Sequence, residues 1–149
     1  MDFAHIYDDE KLPEGCMWID LRTFKDERGS LSLVEQQQLL PFKLERVFWI
    51  TNVPQGQTRG GHAHRTCAEI IIPLQGSFDI YVDDANSSVS ERLSSPQRGI
   101  LIPAGVWCEL ENFESGSICL VLASQEYDSD GYINDYQTFL KYRHASNPV

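Results

Sequence analysis

The chain has 149 residues, a net charge of −10 and 42% hydrophobic residues. That is enough chain to bury a core without disulfides or a structural metal, and its acidic balance excludes a nucleic-acid partner, because phosphate-backbone binding needs a basic face. No stretch approaches the roughly 20 consecutive apolar residues that span a bilayer, so no membrane partner is expected.

The N-terminus, MDFAHIYDDEKLPEG, is acidic and lacks an apolar run, so it is not read as a signal peptide. The four cysteines, Cys16, Cys67, Cys108 and Cys119, show no C-x2-C pairing. Cys16, Cys67 and Cys119 lie in apolar, strand-like sequence and are expected as buried thiols. Together these features predict a cytoplasmic protein with one domain over 1–149.

Short strands between turn signals follow, the pattern of a sandwich or barrel. The spacing predicts strands over Met17–Leu21, Ser30–Glu35, Arg46–Val53, Glu69–Leu74, Ser77–Val82, Val89–Leu93, Gly99–Ile102, Val106–Asn112 and Ser117–Ala123. Phe78, Ile80 and Val82 alternate with Ser77, Asp79 and Tyr81, as in a half-buried strand. The runs Ile70–Ile72 and Ile118–Leu122 are continuously apolar and should be buried on both faces. Asp83–Asn86 reads as a turn. Finally, Tyr132, Ile133, Tyr136, Phe139 and Leu140 fall at helical spacing. They predict a helix from about Gly131 to Arg143, started by Asp128, Ser129 or Asp130, with its apolar stripe packed on the barrel.

Two segments carry the chemistry. Gly56, His62, His64, Glu69 and Gly76 form G-x5-H-x-H-x4-E-x6-G. Residues i and i+2 of a strand share a face, so both imidazoles can enter one cavity. Glu69 has the opposite parity and joins them only if the chain turns or bulges, around Arg65 and Thr66. The second segment, Pro103 to Asn112, follows P-x-G-x2-H-x3-N except that Cys108 stands at the histidine. Both patterns resemble the signatures of the cupins, which implies an all-β fold: a double-stranded β-helix, or jelly-roll barrel, with a short C-terminal α-helix. Two imidazoles and a carboxylate are also a common metal set, so a metal cupin using His62, His64, Glu69 and possibly Cys108 as thiolate stands as an alternative.

The surroundings of the motifs are more specific. Glu27-Arg28-Gly29-Ser30-Leu31, Arg46-Val47-Phe48, Arg59-Gly60-Gly61-His62-Ala63-His64, Leu74-Gln75-Gly76-Ser77-Phe78 and Val106-Trp107-Cys108-Glu109 resemble the sugar nucleotide 3,4-ketoisomerases of deoxysugar biosynthesis. The resemblance implies an isomerase that needs no cofactor or metal and acts on a dTDP-linked keto-deoxysugar. His62 would be the base at sugar carbon 3, with His64 as second proton carrier or oxyanion partner. Imidazole suits such work because its unperturbed pKa is about 6.5. Arg59 and Arg46 would hold the pyrophosphate or position the sugar, Trp107 would wall the pocket, and Arg28 in a turn would select the product epimer. A homodimer is implied too. The chain departs from the family at Cys108, often a third histidine, and at Phe48, often a tyrosine. Those departures motivate a second alternative, a non-catalytic sugar-nucleotide-binding cupin.

Overall fold

The computed structural model describes residues 6–7, 12–36 and 40–146; most of the N-terminal segment read above as lacking a leader lies outside these described residues. In chain order the strands are β1 (Ile6–Tyr7), β2 (Met17–Asp20), β3 (Arg22–Asp26), β4 (Gly29–Leu33), β5 (Arg46–Thr51), β6 (Arg59–His64) and β7 (Glu69–Gln75). Then come β8 (Phe78–Asp83), β9 (Ser88–Leu93), β10 (Arg98–Ile102), β11 (Trp107–Glu111), β12 (Ile118–Ala123) and β13 (Tyr132–Ile133), and helix α1 (Tyr136–Ser146) closes the order.

A six-stranded sheet runs β1-β2-β10-β7-β12-β5 and a five-stranded sheet β13-β6-β11-β8-β9, with β3-β4 as a separate hairpin. Every pairing is antiparallel. The two sheets face each other across one apolar core, to which the first gives Ile71, Ile100, Ile102 and Val121 and the second gives Phe78, Ile80, Val82, Cys108 and Leu110. This is the expected all-β cupin barrel.

The first sheet is covered on its other face as well. There Ile70, Ile72, Leu101 and Leu122 pack beneath Leu40, Phe42 and Leu44. Two-sided burial explains why Ile70–Ile72 of β7 and Ile118–Leu122 of β12 read as unbroken apolar runs, since no position along those runs is exposed. The outer face of the second sheet is covered by α1, where Phe139 packs with Ala63, Trp107 and Ile133.

Helix α1 begins later than its periodicity predicts. Asp135 caps it, accepting from the Thr138 backbone N–H at 2.9 Å and from the Thr138 hydroxyl at 2.9 Å. Asp128 caps only a 3-10 turn over Ser129–Gly131. Tyr132 and Ile133, read from spacing as the first helical turn, instead pair with His64 and Ala63 of β6. Pairing with the sheet wins there over helical periodicity. The hydroxyl of Tyr136 donates to Asp83 Oδ2, and Arg143 Nε donates to the Asp84 carbonyl at 3.1 Å. These contacts pin the helix to the turn after β8. No helix among the described residues is long and apolar enough to cross a membrane.

Candidate active site

One cavity of about 330 Å3 opens into the barrel, within the roughly 300–1,000 Å3 usual for small-molecule sites. Strand β5 supplies Phe48 and Ile50, β6 supplies Arg59, Gly60 and His62, β7 supplies Glu69 and Ile71, and β11 supplies Cys108 and Leu110. Val121 completes the inner wall, and Tyr127, Ser129, Tyr132 and Asn134 border it from the segment before α1.

Strict alternation along β6 would put Arg59 and His62 on opposite faces. A bulge breaks the alternation. His62 pairs with Cys108 while Gly60 pairs with Glu109, which leaves Gly61 as an extra residue. Gly60 and Gly61 both take φ +79°, a left-handed conformation that side-chain-bearing residues disfavour. A Cβ on Gly60 would also come within 2.9 Å of the Cys108 carbonyl oxygen. The Gly-Gly before His62 is therefore what lets a cation and a base enter the same cavity.

Past the bulge, His62 and His64 share a face as their spacing predicts, with ring centroids 5.0 Å apart and rings edge to face. His62 is half-buried and borders the cavity; His64 is only 6% exposed and lies behind it. Glu69 joins them because the chain turns after His64 and crosses to the opposite sheet, where Glu69 opens β7. His64 Nε2 and Glu69 Oε1 are 3.0 Å apart in a buried pair. Burial lowers the pKa of His62 below its ordinary value, and His64 adds to this; Glu69 and a Gly60 backbone hydrogen bond act in the other direction. The net direction leaves His62 neutral, and so able to accept a proton, at neutral pH.

Arg46 alternates inward with Phe48 and Ile50 on β5. Its guanidinium stacks over Phe48 at 5.1 Å, and its Nη1 donates to the Tyr132 hydroxyl at 3.3 Å. Its Nε is buried with no hydrogen-bond partner among the described residues, and Arg46 stands behind Phe48 and Tyr132 rather than among the residues that line the cavity. Arg59 is exposed at the cavity edge.

Cys108 lines the cavity, but burial, followed by the charge of Glu69, pushes its thiol well above the ordinary value. It is a neutral thiol there. The ligand atoms of His62, His64 and Glu69 all lie within 4.8 Å of one another, a set that Cys108 does not join. Two imidazoles and a carboxylate at this spacing fit a divalent transition ion; the thiolate version of the metal set does not fit.

Two expected binding residues are placed elsewhere. Trp107 alternates away from Cys108, is buried against Tyr136 and Phe139 of α1, and donates its indole N–H to Glu109 Oε1 at 3.0 Å. It is not among the residues that line the cavity. Arg28 lies in the β3-β4 turn with its side chain 84% exposed and paired to Asp26. Conversely, sequence reasoning assigned Tyr132 to packing. The structure stands its ring against both histidines, with centroids 4.8 Å from His62 and 4.5 Å from His64.

Comparison with known proteins gives this geometry a family. The family described as FdtA: WxcM-like, C-terminal, matches residues 14–144. TDP-4-oxo-6-deoxy-alpha-D-glucose-3,4-oxoisomerase of Aneurinibacillus thermoaerophilus is 36% identical over 124 residues, 83% of this chain and 89% of that protein. Among solved structures, the TDP-quinovose 3,4-ketoisomerase of Campylobacter jejuni superposes with a TM-score of 0.83 at 36% identity, covering 87% of this chain and 99% of that one. A mutant 3,4-ketoisomerase from Thermoanaerobacterium thermosaccharolyticum, in complex with TDP-4-keto-6-deoxyglucose, gives 0.87 at 30% identity, covering 90% and 97%. Barrel, histidine pair and near-full-length match agree: the chain belongs to the WxcM-like, C-terminal (FdtA) family.

Proposed function

We propose that the chain is a sugar nucleotide 3,4-ketoisomerase, interconverting dTDP-4-keto-6-deoxyglucose and a dTDP-3-keto-6-deoxyhexose through an enediol. The relatives that share most of their own length with this chain are named as 3,4-ketoisomerases or a 3,4-oxoisomerase, one of them for TDP-4-oxo-6-deoxy-alpha-D-glucose. The observation that carries the mechanism is His62, a half-buried imidazole held neutral at the wall of a cavity that also contains Glu69. The proton on carbon 3 is acidic because it lies next to the carbon 4 ketone. His62 removes it, the electron pair forms the 3,4 double bond, and the same imidazolium returns the proton to carbon 4. A base of near-neutral pKa does both halves of that transfer.

In this reading His64, fixed on Glu69, is the second member of the pair, and its proximity adds to burial in keeping His62 neutral. Arg59 at the mouth takes the diphosphate, and Arg46 helps to position the sugar through the Tyr132 hydroxyl to which its Nη1 donates. Phe48 and Cys108 present an apolar wall to the sugar. Incubation of purified protein with dTDP-4-keto-6-deoxyglucose, followed by proton NMR, tests the activity. A new 3-keto species is expected; unchanged substrate in the presence of folded protein would sink the reading.

A homodimer belongs to the same proposal. The β3-β4 hairpin exposes the cross-strand pair Phe24 and Leu31, 52% and 59% exposed, and β5 is the edge strand of the larger sheet with Trp49 67% exposed. Exposed apolar side chains beside an open sheet edge favour pairing with a second copy. Light scattering should report twice the chain mass, and Phe24→Asp should shift it toward monomer. A monomeric wild-type protein would rule the dimer out.

The clustered donors of His62, His64 and Glu69 favour one second reading, a divalent-metal cupin. A bound ion there would act as a Lewis acid on a substrate oxygen, with the three side chains as its ligands. Metal below one equivalent, in protein purified without chelator or histidine tag, would remove this alternative.

A further inference from the structure

The ketone shift moves two protons, one between carbons and one between oxygens. His62 serves the carbons. The oxygens need a group that gives a proton to the carbon 4 oxygen as it becomes an alcohol and takes one from the carbon 3 hydroxyl as it becomes a ketone.

Besides His62, five residues bordering the cavity have side chains that can carry a transferable proton: Glu69, Cys108, Tyr127, Ser129 and Tyr132. The carboxylate of Glu69 is engaged with His64 Nε2 at 3.0 Å. Cys108 is a weak donor whose burial holds its proton tightly. Tyr127 is 69% exposed at the mouth, and Ser129 sits exposed on the 3-10 turn. Phe48, the other aromatic residue of the wall, has no hydroxyl. His64 is 6% exposed and its Nε2 is engaged with Glu69 at 3.0 Å.

Tyr132 differs from all of these. Pairing of β13 with β6 holds it opposite His64, and its ring edges lie against both imidazoles. Its hydroxyl oxygen accepts from Arg46 Nη1 at 3.3 Å. An oxygen that accepts from a guanidinium keeps its own hydrogen free to donate, and the fixed positive charge beside it stabilises a transient phenolate.

We propose that Tyr132, braced by Arg46, is the acid and base that serves the two sugar oxygens, a role that rests on the ketoisomerase activity proposed above. As His62 takes the carbon 3 proton, the carbon 4 carbonyl electrons move to its oxygen, which takes the Tyr132 proton and gives the neutral enediol. The Tyr132 phenolate, paired with Arg46, then removes the proton from the carbon 3 hydroxyl. That electron pair forms the new ketone while the double bond takes the proton back from His62 at carbon 4. Both side chains end as they began, and no outside oxidant or reductant is needed.

The test compares wild type with Tyr132→Phe in deuterium oxide, following both deuterium at carbon 3 of recovered dTDP-4-keto-6-deoxyglucose and formation of the 3-keto product. Loss of a general acid typically slows turnover by about 10²-fold or more. Product formation should therefore fall by that order at saturating substrate. Exchange at carbon 3 should fall less, so the ratio of exchange to product rises, because the enediolate then returns more often than it proceeds. A purely packing role would lower both together and leave the ratio where it was. An unchanged product rate, or an equal fall in exchange and product, overturns the proposal. If Tyr132→Phe does not fold, Arg46→Gln carries the same expectation for the ratio and the same refutation. Wild-type protein that shows neither exchange nor product overturns the activity itself, an outcome distinct from a failure of Tyr132 alone.

Discussion

Replacing Gly60 by alanine strikes the feature that brings Arg59 and His62 to one cavity. At φ +79° an alanine meets the left-handed penalty of about 1–2 kcal/mol. Its Cβ would also stand 2.9 Å from the Cys108 carbonyl oxygen and 3.4 Å from the Glu109 Cα. Those are backbone atoms of the paired strand and cannot swing aside, so β6 and β11 must separate, at a further cost of about 1–3 kcal/mol for forced overpacking. The sum is about 2–5 kcal/mol. At about 2–4 °C per kcal/mol for a domain of this size, the melting temperature should fall by roughly 4–20 °C. Gly61 is the internal control. It has the same φ of +79°, but a Cβ added there would meet nothing within 4 Å, so Gly61→Ala should lose only the conformational part, about 1–2 kcal/mol. Thermal melts and urea titrations of the two variants measure the difference. Equal destabilisation by both, or none from Gly60→Ala, would refute the bulge as the device that sets the site.

Other expectations follow from the same geometry. Because His62 must be neutral to accept a proton and its pKa lies below the ordinary value, the acid limb of the kcat/KM profile should fall below about pH 6.5. His64 lowers that pKa and Glu69 raises it, so His64→Asn should move the limb to higher pH and Glu69→Gln to lower pH. Shifts of the opposite sign would contradict the electrostatics. Trp107→Ala removes a ring that is 4% exposed and packed on α1, which should cost about 3–5 kcal/mol of stability with KM little changed. A large rise in KM at intact stability would return Trp107 to the pocket wall. Burial raises Cys16 and Cys119 to about 12 and pushes Cys108 well above its ordinary value. Iodoacetamide at mildly alkaline pH should leave these three thiols unmodified in the folded protein and label them once it is unfolded; fast native labelling would show that the barrel admits reagent or holds a thiolate.

The histidine pair was legible because period-two geometry acts locally: His62 and His64 share a face wherever that strand lies. The place of Glu69 was legible only as a condition, a turn after His64. Meeting that condition depends on β7 belonging to the opposite sheet, which is a long-range fact. Strand alternation separates Trp107 from Cys108 but does not say which of the two faces inward. Only the docking of α1 decides that, giving Trp107 to the helix and Cys108 to the cavity. Tyr132 was misread for a related reason. Its spacing to Tyr136 and Phe139 suits a helix, yet the open edge of β6 and the stronger cap at Asp135 hold Tyr132–Ile133 as a strand and start α1 at Tyr136. The hairpin strand β3 was not predicted at all, because Arg22–Asp26 carries little apolar patterning and its outward Phe24 stands 52% exposed.

The central claim is that His62 carries the proton between carbons 3 and 4. Its most direct test is proton NMR of dTDP-4-keto-6-deoxyglucose in deuterium oxide with wild-type protein and with His62→Asn, both shown to be folded by circular dichroism. The account predicts loss of the carbon 3 proton signal and growth of the 3-keto product with wild type, and retention of that signal with His62→Asn. Exchange and product formation persisting in His62→Asn at the wild-type rate would contradict it.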